Sequence, residues 1–260
     1  MNNSRSFDRA ADYYDKTRSL PEPVATRGIQ AVLDITGPRA YVLDVGAGTG
    51  RISIPLLERG LDVIGCDLSS KMLMRLREKF PAARIAQADA SYLPFPSAHF
   101  EFVLTVHILH LIPSWRDVLR EIWRVLVPGG TYLNVKTWGS SRASIREQLR
   151  IFWQDWLERQ GWNAHNPGLQ DHAEFVQELK TLGAHLKQVD VLHYPLSFTL
   201  REELERFESR IYSDSWDIPN PLFDASMKEL RTWVEHEYED LDQPREDDVS
   251  FAIDAARFQN

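Results

Sequence analysis

A glycine-rich loop and three carboxylates are the residues of this chain whose types and spacing could do chemistry. The loop at residues 44–50, DVGAGTG, follows a short apolar run, and its glycines permit a tight turn and close approach of a ligand to the backbone. Asp67 follows about 20 residues later, where a carboxylate can accept hydrogen bonds from both hydroxyls of a ribose. Asp89, after the next predicted strand, can accept from the amine of an adenine. The spacing predicts a site for an adenosine cofactor.

The same part of the sequence distinguishes between two kinds of adenosine cofactor. The dinucleotide fingerprint requires a glycine at position 51, and this chain has Arg51. Asp44, at the mouth of the first predicted strand, would repel a pyrophosphate and suits a ligand that carries an ammonium and a sulfonium group. An NAD-dependent oxidoreductase is therefore the disfavoured alternative. Plainer interpretations also exist: a generic nucleotide site or turn for the loop, a helix cap for Asp67 and a solvated turn for Asp89.

Strands and helices that alternate along the first half must position these groups. An apolar run that feeds a glycine turn is typical of a strand buried on both faces, and the alternation predicts an α/β fold with a doubly wound, mostly parallel sheet. The turn Pro128-Gly129-Gly130 leads into the fifth strand. The predicted strands are 41–45, 61–66, 84–88, 100–105 and 131–135, and the predicted helices are 21–37, 49–59, 69–80 and 114–126.

The second half of the chain does not continue the regular alternation of strands and helices. Residues 141–183 and 200–241 are predicted to be helical with no obvious core of their own, and 186–192 and 249–253 to be strands. We expect one domain over 1–260, with a core at about 21–137 and late strands at about 184–193 and 248–256. Helical segments at about 138–183 and 200–243 would form a lid over the carboxyl ends of the strands. Their tryptophans either pack this lid or line an aromatic acceptor pocket.

Four motifs in order carry a resemblance to a known family. They are the loop 44–50, Gly65–Ser69 with Met72, Asp89-Ala90 followed by 93–95, and residues 124–130, with a lead-in segment at 13–18. On these motifs the chain resembles the class I S-adenosylmethionine-dependent methyltransferases of the type-11 methyltransferase domain family, over residues 7–137. The resemblance implies a Rossmann-like sheet with an antiparallel last strand. It also implies S-adenosyl-L-methionine as the cofactor and methyl transfer as the activity.

The resemblance assigns roles by position. Gly46, Ala47 and Gly48 would line the methionine part of the cofactor, with Asp44 beside them. Asp67 and Leu68, with Met72 in the same motif, would hold the ribose and adenine. The remaining cofactor contacts would come from Asp89 and Ala90 at the adenine, Thr105 near the sulfonium, Arg18 at the carboxylate and Tyr14 in the lead-in segment.

His107 and His110 are the candidates for a general base. A spacing of three could place both on one helical face, and imidazole is a common proton acceptor. His107 is the better candidate for a catalytic role because it is closer to the end of the fourth strand. Packing against the cofactor or the lid is its plainer interpretation. With no third ligand nearby, we expect no metal site.

Composition limits the classes of function. The chain has 260 residues, one cysteine and a formal net charge of −8, so we expect neither an internal disulfide nor nucleic acid as a partner. We find no signal peptide and no apolar run of about 18 residues, which predicts a cytoplasmic protein without stable membrane association. The predicted activity is methyl transfer to a small-molecule O, N or C acceptor. The alternatives are a quinone-like lipid precursor as acceptor and a non-catalytic cofactor-binding module.

Overall fold

A computed structural model describes residues 6–18, 20–138 and 144–258. In this part of the chain seven strands form one sheet in the order β3-β2-β1-β4-β5-β7-β6. The first five are parallel and the last two antiparallel, so the predicted α/β fold is confirmed. The strands are β1 (Tyr41–Val45), β2 (Asp62–Asp67), β3 (Arg84–Gln87), β4 (Phe100–Val106), β5 (Leu126–Trp138), β6 (Ala184–Phe198) and β7 (Arg245–Phe258).

Nine α-helices accompany these strands in the described residues. Serine and threonine caps begin several of them, and Thr199 with Glu202 forms a complete capping box at the start of α8. None of the described helices is both long and apolar enough to cross a membrane. The helices are α1 (Tyr14–Arg18), α2 (Glu22–Thr36), α3 (Ser53–Glu58), α4 (Ser70–Lys79), α5 (Trp115–Val125), α6 (Ile145–Arg159), α7 (His172–Thr181), α8 (Leu200–Glu208) and α9 (Asn220–Glu237).

Several predicted boundaries were wrong for local reasons. The helix predicted over 49–59 begins only at Ser53, because residues 49–52 form turns in which Gly50 has a φ of +87°. The Pro128–Gly130 segment lies inside β5 instead of preceding it. Phe100 of β4 pairs with Leu126 and Phe102 with Thr131, so β5 bulges across these positions. The late strands β6 and β7 are longer than predicted.

The chain divides into two compact units. The first comprises Met1–Thr137, Pro167–Leu192 and Phe251–Asn260. Its main core packs β1, β4 and β5 against α5 and α7, with Val118, Ile122, Tyr132 and Phe175 fully buried. Gly28 of α2 lies so close to the ring of Phe251 that an added Cβ would approach it to 2.6 Å.

The second unit comprises Trp138–Asn166 and His193–Ser250. Contrary to expectation it has a core of its own, which includes Trp153 of α6, Phe207 of α8 and Leu230 of α9. Most of both predicted lid segments belongs to this unit, but α7 lies in the first unit, and residues 139–143 lie outside the described residues. The single domain and the lid therefore stay predictions.

Candidate active site

The glycine loop leaves β1 as a tight turn fastened to β2. The amides of Gly46 and Ala47 both donate to the carbonyl of Cys66, over 2.7 and 3.0 Å. Gly46 has a φ of +78° and Gly48 a φ of +55°, backbone conformations that favour glycine. A Cβ at Gly46 would also collide with the side chain of Ile108. The turn therefore depends on glycine for conformation and for space, as a loop that lets a ligand approach the backbone requires.

Asp67 is held at the end of β2 by two backbone donors. Gly48 donates to Oδ2 over 2.9 Å and Ser69 donates to Oδ1 over 2.8 Å. Burial raises the pKa of Asp67, and the two backbone N–H groups oppose that rise. Each carboxylate oxygen retains acceptor capacity, so the side chain fits a pair of neighbouring ribose hydroxyls. The cap of α4 is Ser69, which accepts from the amide of Met72, and this confirms that the helix cap is not Asp67.

Asp44, the carboxylate of the loop, is unusual because it is buried and only one of its oxygens is hydrogen-bonded within the described part of the chain. It is 1% exposed, its Oδ2 accepts from the hydroxyl of Ser53, and its Oδ1 has no hydrogen-bond partner among the described residues. Burial first, and then the charge of Asp67, raise the pKa of Asp44 to about 7, against the opposing effects of Ser53 and Arg51. A buried carboxylate oxygen without a partner is costly, so it fits a ligand that brings a cation or donor. An ammonium group would satisfy it.

The two predicted adenine segments lie beside Asp67. The amide of Ala88 donates to the carbonyl of Asp67 over 3.0 Å, and the Gln87 side chain donates to the carbonyl of Leu68 over 3.1 Å. Asp89 follows in a turn, where its Oδ1 accepts from the amide and hydroxyl of Ser91. The structure thus brings 67–68 and 88–90 together at the ends of β2 and β3. The side chain of Met72 is buried, its amide donates to the Ser69 hydroxyl over 3.1 Å, and its contact with the cofactor stays a prediction.

The N-terminal segment is fastened to the same elements by acids that the sequence analysis did not single out. Asp8 accepts from the Ser69 hydroxyl over 2.5 Å, and Asp12 pairs with Arg75. Asp15 accepts from Thr49 over 2.5 Å and pairs with Lys79 over 2.7 Å. Asp8, Asp12 and Asp15 are spaced by four and three residues, which is typical of one helical face. This spacing is the feature of the sequence that could have identified them.

Arg51 completes this attachment from the glycine loop. Its guanidinium donates to the carbonyl of Arg18 over 2.6 Å, at the end of α1. Tyr14, one turn earlier in α1, has its ring edge-on to Phe7 at 6.2 Å. The residue that breaks the dinucleotide fingerprint therefore ties the lead-in segment to the loop. Cofactor contacts of Arg18 and Tyr14 stay predictions.

His107 and His110 differ from the expected arrangement on one helical face, whereas a cofactor contact of Thr105 stays a prediction. His107 lies in a bend with a φ of +54°, and His110 lies in a short 3₁₀ turn, so the two do not share an α-helical face. Burial, and then the charges of Arg51, His110 and Arg18, lower the pKa of His107 to about 3. The hydroxyl of Thr105 is fully buried and engaged with Tyr132 over 2.7 Å and Asn134 over 3.2 Å. His107 is a weak proton acceptor at neutral pH.

Comparisons with known proteins identify the family of this chain. A family model described as "Methyltransferase domain" matches residues 43–134. Phosphatidylethanolamine N-methyltransferase of Cereibacter sphaeroides is 31% identical over 199 residues, which cover 72% of this chain and 88% of the relative. Malonyl-[acyl-carrier protein] O-methyltransferase of Halorhodospira halophila is 35% identical over 134 residues, 50% of this chain and 45% of the relative. The chain thus spans about half the length of this second relative.

A solved structure supports the fold. The YcgJ protein of Bacillus subtilis superposes with a TM-score of 0.62 at 17% identity, over 90% of this chain and 99% of that one. The chain belongs to the class I S-adenosylmethionine-dependent methyltransferases. Its cofactor is accordingly S-adenosylmethionine, and the alternative of an NAD-dependent oxidoreductase is set aside.

Proposed function

We propose that this chain transfers the methyl group of S-adenosylmethionine to a small-molecule acceptor. The observation that carries the proposal is the unpartnered Oδ1 of Asp44, buried beside a glycine turn and Asp67. Asp44 would bind the ammonium of the cofactor, Asp67 the ribose hydroxyls, and the segment 88–90 the adenine. The cofactor supplies an electrophilic methyl group on a sulfonium with a neutral leaving group. The chain's own task is therefore to align the acceptor and exclude water.

The relatives are named for more than one kind of acceptor. The names refer to phosphatidylethanolamine, malonyl-[acyl-carrier protein] and demethylmenaquinone, and the first of these relatives is matched over 88% of its length. Calorimetric titration with S-adenosylmethionine, S-adenosylhomocysteine and NAD tests the cofactor site. We expect micromolar binding of the first two and none of NAD.

Turnover is then measured as released S-adenosylhomocysteine with phosphatidylethanolamine, a malonyl thioester and a naphthoquinol. Tight cofactor binding without turnover of any acceptor would favour the non-catalytic module.

Asp67→Ala is expected to weaken binding of S-adenosylmethionine more than tenfold, because hydrogen bonds to a charged group contribute about 1.5–3 kcal/mol each. Asp62→Ala is the matched control. Asp62 lies at the other end of β2, is exposed and pairs with Arg84 at the surface, so its loss should leave the dissociation constant unchanged. Circular dichroism checks that both variants fold. An unchanged dissociation constant for Asp67→Ala would refute the ribose assignment.

A further inference from the structure

A second group of buried polar residues lies in the first unit, outside the cofactor loop. Lys136 of β5 pairs with Oδ2 of Asp254 of β7 over 2.7 Å, and both side chains are buried. His172, the first residue of α7, places Nε2 at 3.1 Å from the same oxygen, while 44% of its side chain is exposed. Oδ1 of Asp254 has no hydrogen-bond partner among the described residues. A buried carboxylate therefore contacts a half-exposed imidazole.

The register of the sheet places this group at the edge where β4 and β5 end. Asn134 pairs with Thr105 and Val135 with Val106, the last residue of β4, and Lys136 is the next residue of β5. Asn134 also links the two regions, since it accepts from the Thr105 hydroxyl over 3.2 Å and lies 3.4 Å from Oδ2 of Asp254. The group is thus joined to the strand that leads into His107. Ligands of open α/β sheets bind at the carboxyl ends of such strands.

The loop before α7 is fastened to the same edge. Gly168 donates to the carbonyl of His110 over 2.9 Å, and Leu169 donates to that of Leu109 over 3.1 Å. A Cβ on Gly168 would lie 2.7 Å from the carbonyl oxygen of Ile112, so a larger residue would push the loop away. This close packing, together with the ring of Phe175 at 5.7 Å, fixes where His172 begins the helix.

The contact with Asp254 has a consequence for the imidazole. Nε2 of His172 has two polar neighbours: Oδ2 of Asp254 at 3.1 Å, which accepts, and Nζ of Lys136 at 3.3 Å, which can only donate. Lys136 has the same Asp254 oxygen as its nearer partner, at 2.7 Å. We therefore expect both Lys136 and Nε2 to donate to Asp254, which leaves the lone pair on Nδ1. Lys136 also balances the charge of the buried Asp254. A base oriented by a third group is the arrangement that recurs where a side chain removes a proton. Burial lowers the pKa of His107 to about 3, which makes it the weaker proton acceptor of the two histidines' sites.

We propose that His172, oriented by Asp254, is the general base of the methyl transfer, and that the acceptor is a hydroxyl or amine that must lose a proton. This inference rests on the proposed function. The acceptor's lone pair forms the new bond to the methyl carbon, and the electron pair of the broken carbon–sulfur bond stays on sulfur, which becomes neutral. The proton leaves the acceptor atom for Nδ1 of His172. The imidazolium is then stabilised by Asp254 and returns its proton to water through its exposed edge.

The tautomer can be tested without an acceptor. In protein with ¹⁵N-labelled histidine, the ring signals of His172 are assigned by their loss in His172→Gln. In the neutral imidazole we expect a proton on Nε2 and none on Nδ1. A proton on Nδ1 would overturn the inference, because that atom could not then act as a base. His185→Gln, an exposed histidine of β6, serves as the assignment control.

Turnover separates this inference from the proposed function. His172→Gln keeps a donor toward Asp254 but cannot take a proton. We expect its kcat to fall about 10²- to 10⁴-fold with the Kd for S-adenosylmethionine unchanged, and imidazole to restore activity to His172→Ala. His185→Gln should retain full activity. Undiminished turnover by His172→Gln, or turnover of the malonyl thioester alone, would overturn the inference and leave the proposed function standing. If no acceptor in the panel is turned over, the proposed function fails its own test and the tautomer measurement decides this one.

Discussion

Asp44→Asn will weaken binding of S-adenosylmethionine at pH 7.5 by about 30-fold or more. Removing one partner of a buried charge pair costs about 2–5 kcal/mol, and each 1.4 kcal/mol is tenfold in affinity. The asparagine keeps the size of the side chain and can accept from Ser53, but it offers no negative charge to the ammonium of the cofactor. Calorimetric titration of both proteins measures the change. Equal affinity would mean that the ammonium binds elsewhere.

The same carboxyl should make cofactor affinity depend on pH. The pKa of Asp44 in the free protein is about 7, and binding of an ammonium requires the ionised form. Below pH 7 the carboxyl must lose a proton on binding, so the affinity of wild-type protein should rise about 20-fold from pH 5.5 to 7.5. Above about pH 8 the α-amino group of the ligand loses its own proton and the gain should end. Affinity that is flat from pH 5.5 to 7.5 would contradict this.

Two variants control for other titrating groups. Asp44→Asn should lose most of the pH dependence, leaving only what Asp67 contributes, since the pKa of Asp67 is also raised. Ser53→Ala removes the hydrogen bond that lowers the pKa of Asp44, so its affinity profile should shift to higher pH. A shift to lower pH would show that another group titrates.

The raised pKa of Asp44 also makes the free energy of unfolding depend on pH. A carboxyl whose folded-state pKa lies above its unfolded value stabilises the fold below that unfolded value, and this contribution is lost as the pH rises through about 7. In the free protein, Asp44 therefore reduces stability toward neutral pH. The ammonium of a bound cofactor would relieve this cost. The buried carboxyl thus lowers the stability of the free protein at neutral pH, as is common for groups placed for ligand binding.

The glycine turn and the position of Asp67 could be predicted from the sequence because local rules determine them. Glycines at 46 and 48 are required by positive φ, and Asp67 lies at the end of a strand that must pair with β1. Each of these groups is positioned within a few residues of its own strand. Asp8, Asp12 and Asp15 were missed because their partners lie about 34 to 64 residues away, and such contacts have no local pattern.

The group around Asp254 illustrates the same limit. Its members come from β5, α7 and β7, and Asp254 lies 82 positions after His172 and 118 after Lys136 in the numbering. Nothing in the sequence around a single aspartate in a late strand marks it as buried. The order β5-β7 in the sheet brings Lys136 and Asp254 together, and the packing of α7 adds His172.

The core of the second unit was also hidden by sequence distance. Each helix alone buries only a few apolar side chains, whereas α6, α8 and α9 combine theirs into one core. Trp153 lies at the centre of this core. It is fully buried, its Nε1 donates to Ser226 over 2.9 Å, and its ring meets Phe207 edge-on at 5.4 Å. These contacts favour packing over the alternative of an aromatic acceptor pocket for this tryptophan.

Trp153→Ala should therefore reduce the free energy of unfolding by about 3–5 kcal/mol, the usual cost of removing a buried large aromatic side chain. Trp123→Ala is the matched control, since Trp123 is 44% exposed on α5 and its loss should cost far less. Urea denaturation followed by circular dichroism measures the change, and hydrogen exchange should show lost protection in α6 and α9. If Trp153 lined a pocket, its removal would instead leave stability nearly intact and impair turnover. The two measurements on one variant thus distinguish a packing residue from an acceptor-binding one.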